Sequence, residues 1–427
     1  MARAMQQPTQ SRDPFVWCIA LTAVFFAFTM HRLAIPTAPY FDEIHYLPAA
    51  REMLAMHKWV NREHPMFGKE MIALGMWALG DNPWGWRIGS ALAGTLTFWA
   101  SIRALWFASQ RRFATLSYGI LLASGFMLLI QSQIAMLDAY MLAALAVSFW
   151  MLAKAVRRPE HGRRYLAASG IAMGVAMGTK WNAVPLAIVP GLAFLIVRAR
   201  AAGWRFVWSK RGAPVPGVTL LEAALWLGVV PLLAYWATFF PAYFFSVNPL
   251  QLGGFLDYQS KMLALQESVI KPHQYSTRWW QWVLDQRGLW YLYRDIDGAQ
   301  RGVVMIGNPL AMIAGIVAWT WCLWAGIRGQ KDALAVAVLY IFAIGFWIIA
   351  PKPIQFFYHY LAPSLILFAA LALALDALWR RGPRWLPLAF LAAACGIFAW
   401  FYPIISAAPL EGGRPAFLHW MWLDSWK

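Results

Sequence analysis

Phe15-Val16-Trp17-Cys18-Ile19-Ala20-Leu21-Thr22-Ala23-Val24-Phe25-Phe26-Ala27-Phe28-Thr29-Met30 carries no charge, and it is the first of many such runs. Runs of about 20 apolar residues recur to the end of the chain, the length a helix needs to cross hydrocarbon. Hydrophobic residues make up 61% of the chain, charged residues 13%, and the mean hydropathy is +0.51. An ordinary globular domain carries about a quarter charged residues. Lipid offers no partner to an open strand edge, so such runs must be helical. Outer-membrane strands alternate over roughly 10 residues, which these long runs do not. The expected class is an all-α polytopic membrane protein. No small-residue cleavage site follows Met30, so the first run reads as a retained span rather than a removed signal.

Eleven spans are expected, near 14–34, 83–107, 113–131, 134–153, 165–181, 183–198, 218–240, 304–326, 333–350, 357–379 and 385–405. The apolar stretch from Met66 to Gly80 is too short to cross and fits an interfacial or re-entrant helix. Residues 1–427 read as one membrane-embedded domain, with a first outer loop at 35–82 and a large one at 241–303. The short connections alternate in charge. One side collects 19 basic and five acidic residues, counting Arg3 and Arg12; the other collects 16 and 14, with Arg103 inside a span. Basic loops stay in the cytoplasm, so the N-terminus is expected there and the C-terminus outside. The same bias accounts for an isoelectric point near 10.0, and the excess charge orients the protein and meets anionic lipid, with no call for nucleic acid. Cys18, Cys322 and Cys395 lie in apolar runs and match no zinc or disulfide spacing.

This orientation brings the polar motifs to one face. Pro39-Tyr40-Phe41-Asp42-Glu43-Ile44-His45-Tyr46 follows the first span, and His64-Pro65-Met66-Phe67-Gly68-Lys69 follows it. Asp138 begins the fourth span and Lys180-Trp181 ends the fifth. Ionisable groups beside a membrane are costly to dehydrate, so a dense cluster points to function. A merely solvated loop is the plain alternative, and convergence of distant motifs on one face argues against it. Asp42 and Glu43 point about 100° apart on a helix, so one can act as a general base while the other orients a neighbour. Ile44, Leu47, Ala50, Met53 and Leu54 recur at helical spacing, as in an interfacial amphipathic helix.

Lys69 and Arg87 are candidates for a lipid phosphate, with Lys180 behind them; a snorkelling lysine and an interfacial anchor are the plain alternatives. Asp138 either faces the cavity or simply complements a helix N-terminus. His359, in Phe357-Tyr358-His359-Tyr360, is either a cavity residue or a packing histidine. Trp279 and Trp280 belong to an aromatic group in the large outer loop with arginines between them, suited to an interface belt or to stacking on sugar. No Walker loop, Rossmann glycine run or metal-ligand helix motif is present. One acid pair without a clear third ligand is a poor metal site, and no cofactor is expected.

Seven stretches together resemble protein O-mannosyltransferases. They are 41–46, 64–69, Ile134-Ala135-Met136-Leu137-Asp138, Gly178-Thr179-Lys180-Trp181, His273-Gln274-Tyr275-Ser276 with Trp279-Trp280, Gly307-Asn308-Pro309-Leu310, and 357–360. The resemblance implies the C-type glycosyltransferase fold, a polyprenyl-phosphate-mannose donor, and Ser or Thr hydroxyls of exported proteins as acceptors. It implies Asp42 as the catalytic carboxylate, Glu43 in acceptor geometry, Lys69, Arg87 and Lys180 toward the donor phosphate, and His64, Asp138, His273 and His359 in the cavity. The outer loop has no room for the β-trefoil of eukaryotic members, so the form resembles the shorter bacterial one, in an inner membrane with its active site outside. The family's His-Pro-Pro-Leu-Gly-Lys is His64-Pro65-Met66-Phe67-Gly68-Lys69 here, its frequent His-Pro-Tyr is His273-Gln274-Tyr275, and Gln266 replaces a frequent histidine. A sister transferase that moves aminoarabinose or a hexose onto lipid A, a glycan or a lipid is the nearest alternative. A transporter or flippase is the other, and it lacks the expected inverted repeat. Nothing in the sequence sets an oligomeric state.

Overall fold

The computed structural model describes residues 12–268, 273–350, 352 and 354–427; Arg3 lies outside the described residues. Among the described residues eight helices are long and apolar enough to cross a membrane, making this a multi-pass membrane protein. Helix α1 (Phe15–Met30) leads into α2 (Glu43–Leu54) and α3 (Phe67–Leu79), followed by the 27-residue α4 (Pro83–Ser109). Asn82-Pro83 starts α4 in the way the sequence dictates. The Asn82 side chain accepts from the Trp84 and Gly85 amides, and Pro83 occupies the first turn, where its missing N–H costs nothing. Arg87 is thereby set one turn inside a span.

The expected span 113–131 is instead two helices, α5 (Arg112–Ser124) and α6 (Met127–Ser132). Phe126 takes a positive φ of 69°, which a helix cannot continue through. Next come α7 (Leu137–Arg157), α8 (Gly162–Thr179) and α9 (Val184–Ala202), then α10 (Leu220–Ala224) and α11 (Val230–Ala237), joined by a π turn. Helix α8 falls outside the eight because Arg163 and Arg164 occupy its first turn. It owes its close packing to Gly170, Gly174 and Gly178. A Cβ there would come within 2.0 Å of Trp226 O, 2.3 Å of Pro231 O and 2.3 Å of Thr238 Oγ1 respectively. A small-residue stripe at four-residue spacing lets helix backbones approach in lipid. Eight of the eleven expected spans fall on helices that qualify as crossings among the described residues; the other three fall on α1, α5–α6 and α8, which are too short or too polar to qualify.

The long loop after residue 241 is more ordered than an all-α reading allows. It holds α12 (Phe255–Glu267), α13 (Trp279–Val283) and an antiparallel hairpin, β1 (Leu289–Ile296) with β2 (Ala299–Met305). The hairpin turns on Asp297-Gly298, both at positive φ (52° and 72°), the geometry two-residue hairpins favour. The fold is thus mostly helical. The last quarter comprises α14 (Pro309–Ile327), α15 (Lys331–Ile349), α16 (Leu361–Arg381) and α17 (Trp385–Ile405). Asn308 explains its motif structurally: its Nδ2 donates to Ser124 O and Ala394 O, bridging α5 and α17, and its Oδ1 accepts from the Ala311 amide.

Distant loops are stitched together at one end of the bundle. Thr37 donates twice to Asp297, and the Ser246 and Val247 amides bond Met56 O and His57 O. The Thr277 amide bonds Gln355 O, and Gln266 Nε2 donates to Glu63 O. The loops around Asp42, His64, Trp282 and His359 form one assembly.

Candidate active site

Asp42 stands before α2, where a carboxylate normally caps the helix amides. Here its side chain makes no cap bond; only its backbone carbonyl accepts from His45 and Tyr46. Among the described residues no protein group hydrogen-bonds this half-buried carboxylate. Phe41, just before it, sits at a φ of 50°, a strained position for a bulky residue. Its ring is stacked on Tyr291 of the hairpin at 3.9 Å, and that packing holds the strain. The hairpin thus helps to aim Asp42. Burial raises the Asp42 carboxyl to about 6; Lys180, His45 and Lys352 pull it down and Asp138 pushes it up.

Glu43 is fully buried and takes the orienting role. It receives Arg87 in a two-pronged bond, Nε at 2.7 Å and Nη2 at 2.9 Å, and also the amides of Ala135 at 2.9 Å and Tyr40 at 3.2 Å. The Ala135 bond ties the Asp42 stretch to the start of α7. Arg87 differs from its expected role. Its remaining N–H groups go to Leu33 O, Pro36 O and Ala38 O, so all five donors are used and the side chain is 0% exposed. It offers nothing to a phosphate.

Lys69 departs in the same way. Its ammonium donates to Asn61 O at 2.6 Å, His64 O at 2.9 Å and Val60 O at 3.5 Å, and it is also 0% exposed. It is the internal post on which the 60–64 loop is wound, and burial lowers its pKa to about 7. Gly68 beside it admits the close packing of Leu137 and Thr179, which brings this loop to the start of α7 and the end of α8. His64 is held half-buried as a result. Burial, with Lys180, Lys352 and Lys69 nearby, lowers its pKa well below the usual range, and its Nδ1 has no partner. A neutral imidazole in this place can bond a hydroxyl.

Lys180 and Asp138 do meet. The Lys180 ammonium donates to Asp138 Oδ2 at 2.7 Å and lies 4.8 Å from the Tyr358 ring centre, with both charged side chains 2% exposed. Lys352 completes the group and was not anticipated. It is half-buried, and burial and Lys180 lower it to about 8 while Asp138 and Asp42 oppose the shift. Among the described residues its ammonium has no hydrogen-bond partner, which makes it the cation that Lys69 and Arg87 are not. Its only sequence signal is its place in Pro351-Lys352-Pro353, a few residues before the Phe357 motif.

His359 lines a narrow cavity together with Asp138, Tyr358 and Trp347. Its Nδ1 accepts from the Phe356 amide and its Nε2 is unpaired. Trp282 supports that wall, buried against Trp347 and His359, with its indole N–H on Thr277 Oγ1 at 2.7 Å. Trp280 is exposed under Arg278, Trp279 is half-buried, and His273 is exposed against Phe356. Among the described residues none of the three hydrogen-bonds Asp42. Among the described residues no group of three or more His, Cys, Asp or Glu is placed to hold a metal.

The arrangement brings together one unspent carboxylate, one unspent ammonium, a buried lysine–aspartate pair and unpaired imidazole nitrogens. That set suits transfer to a hydroxyl with an anionic leaving group. Residues 63–238 match the family described as dolichyl-phosphate-mannose-protein mannosyltransferase, and 251–426 match the C-terminal four-TMM region of protein O-mannosyltransferase. A polyprenol-phosphate-mannose–protein mannosyltransferase of Corynebacterium glutamicum is 24% identical across 97% of this chain and 94% of its own. In fold, the chain is similar to the S. cerevisiae protein O-mannosyltransferase Pmt1-Pmt2 complex bound to the sugar donor. That match has a TM-score of 0.79 at 15% identity and covers 97% of this chain and 92% of the other. ArnT of Cupriavidus metallidurans bound to undecaprenyl phosphate gives 0.61 at 21% identity, over 91% of this chain and 65% of its own.

Proposed function

Because the chain belongs to the protein O-mannosyltransferase family, we propose that it moves mannose from a polyprenyl-phosphate donor to Ser or Thr hydroxyls of exported proteins. The reaction takes place on the outer face of a bacterial inner membrane, with the N-terminus in the cytoplasm, as the basic bias of the opposite loops supports. The observation that carries the reading is the Asp42 carboxylate, aimed by a strained residue and left without a protein partner, beside two lysines.

In the proposed step the acceptor oxygen forms a bond to the anomeric carbon while Asp42 takes its proton. The bond from that carbon to the phosphate oxygen breaks, and its electron pair leaves with the polyprenyl phosphate. Lys352 and the Lys180–Asp138 pair hold the phosphate charge, and His64 bonds a sugar hydroxyl. The leaving group is already good, so placement and charge neutralisation do most of the work. One displacement converts a β-linked donor into an α-linked product. Glu43 and Arg87 act by positioning Asp42.

Purified protein in liposomes, given polyprenyl-phosphate [14C]mannose and a Ser/Thr-rich peptide, is expected to place label in the peptide. Label found only in lipid or glycan would instead assign the chain to the sister transferases. Lys352→Ala is expected to raise the donor KM about tenfold to a hundredfold, the scale of one charged hydrogen bond, with melting temperature unchanged. An unchanged KM would remove Lys352 from the site.

The pH dependence follows from the same groups. Asp42 must be ionised to act, and its pKa is raised to about 6, so kcat/KM should fall as pH drops through that value. Lys352 must be charged, and its pKa is lowered to about 8, so kcat/KM should also fall above it. In Lys352→Arg the alkaline limb should vanish while the acid limb stays. A profile flat from pH 5 to 9 would contradict both assignments.

A further inference from the structure

The segment after α17 folds back on the hairpin and grips it at several points. Trp426 is 2% exposed, and its indole N–H donates to Asp285 O at 2.7 Å. Its own carbonyl accepts from Trp290 Nε1 at 3.0 Å, so one residue holds both ends of the stretch 285–290 that leads into β1. The Tyr293 hydroxyl donates to Arg414 O at 2.6 Å and accepts from the Phe417 amide at 3.3 Å. The Phe417 ring stands edge-on to both Trp290 and Tyr293. On β2 the Leu410 amide bonds Gln300 O at 2.8 Å, and Arg301 Nη1 donates to Ala407 O at 2.8 Å. Between Trp290 and Leu292 the ladder skips. Trp290 pairs with Val304 and Leu292 with Val303, which leaves Tyr291 as the extra residue of a bulge. A bulge re-aims a side chain and leaves its residue unpaired in the ladder, so other contacts must fix it.

On the function proposed above, we infer that residues 407–426 form a clamp that sets the aim of Asp42, with Trp426, Trp290 and Tyr291 as positioning residues. The line of contact is unbroken. Trp426 holds Trp290, and the bulge carries Tyr291 directly after it. The Tyr291 ring stacks on Phe41 at 3.9 Å, and its hydroxyl accepts from Gln131 Nε2 at 2.9 Å. Phe41, at a φ of 50°, immediately precedes Asp42. Strain of that kind persists only where the surroundings over-determine it. Among the described residues no protein group hydrogen-bonds the Asp42 carboxylate, so its direction depends on the backbone that Phe41 sets. Burial, and then the charges of Asp138 and Asp42, hold the Tyr291 hydroxyl well above its usual range, so the ring stays neutral beside both carboxylates.

The test is a double-mutant cycle on kcat in reconstituted protein, with wild type, Trp426→Ala, Asp42→Asn and the double variant. Trp426→Ala should lower kcat about tenfold to a hundredfold, the scale of a slight misplacement of a reacting group, with the donor KM unchanged. On top of Asp42→Asn it should cost nothing more, because no base is left to aim. Trp290→Phe keeps the cycle readable where Trp426→Ala does not fold. It removes one hydrogen bond, so kcat should drop about twofold to tenfold, and again not at all beside Asp42→Asn. Equal losses with and without the Asp42 carboxylate would mark a structural role only and overturn the inference. A raised donor KM at unchanged kcat, or no loss in either variant, would overturn it too. Mannose transfer to the peptide by wild type keeps the proposed function standing whichever way the cycle falls. Wild-type transfer that Asp42→Asn leaves intact overturns the base assignment and the clamp with it. No transfer by wild type overturns that function and the clamp together.

Discussion

Arg87→Met is expected to cost about 3–5 kcal/mol of stability, because it leaves the Glu43 carboxylate buried and uncompensated. Arg87 serves two carboxylate oxygens and three backbone carbonyls at once. Its loss leaves all of them unpaired in a fully buried place. Arg87→Lys should not rescue the fold, since three donors on a point charge cannot span five acceptors held by a planar fork. Replacing both partners, Arg87→Met with Glu43→Met, should be milder than the sum of the single changes, because the pair is desolvated together. Thermal unfolding in detergent checks this. A well-folded Arg87→Met protein with a raised donor KM would instead mark Arg87 as a phosphate ligand.

Asp42→Asn should lower kcat about 10²- to 10⁴-fold, the usual contribution of a positioned base. The substitution is nearly isosteric, and the carboxylate makes no side-chain bond to protein among the described residues, so melting temperature should hold or rise. Donor affinity should change little, because Asp42 meets the acceptor proton rather than the phosphate. A folded Asp42→Asn enzyme that keeps wild-type turnover would show that phosphate departure alone drives the step. Loss of donor binding with turnover intact would move Asp42 to the donor side.

The membrane class and the convergence of Asp42, Asp138 and Lys180 were legible because apolar length and charge alternation are local signals. What a cation binds is not local. Lys69 and Arg87 stood in the right motifs, yet both are spent on carbonyls and a carboxylate that only the folded loops bring to them. Lys352 sits in the short link between two expected spans, where only the flanking Pro351 and Pro353 set it apart in the sequence. The hairpin was missed despite Asp297-Gly298 between residues that favour strands, since the aromatic loop was read for stacking rather than for pairing. Phe126 gave no warning of its break, because positive φ in a bulky residue is imposed by packing.

The most direct test of the account is a single-turnover reaction of reconstituted protein with β-linked polyprenyl-phosphate mannose and a Ser/Thr peptide, reading the linkage of the product. The account predicts α-linked mannose on the peptide, formed in one step that disappears in folded Asp42→Asn. A β-linked product, or mannose transfer that survives in that variant, would contradict it.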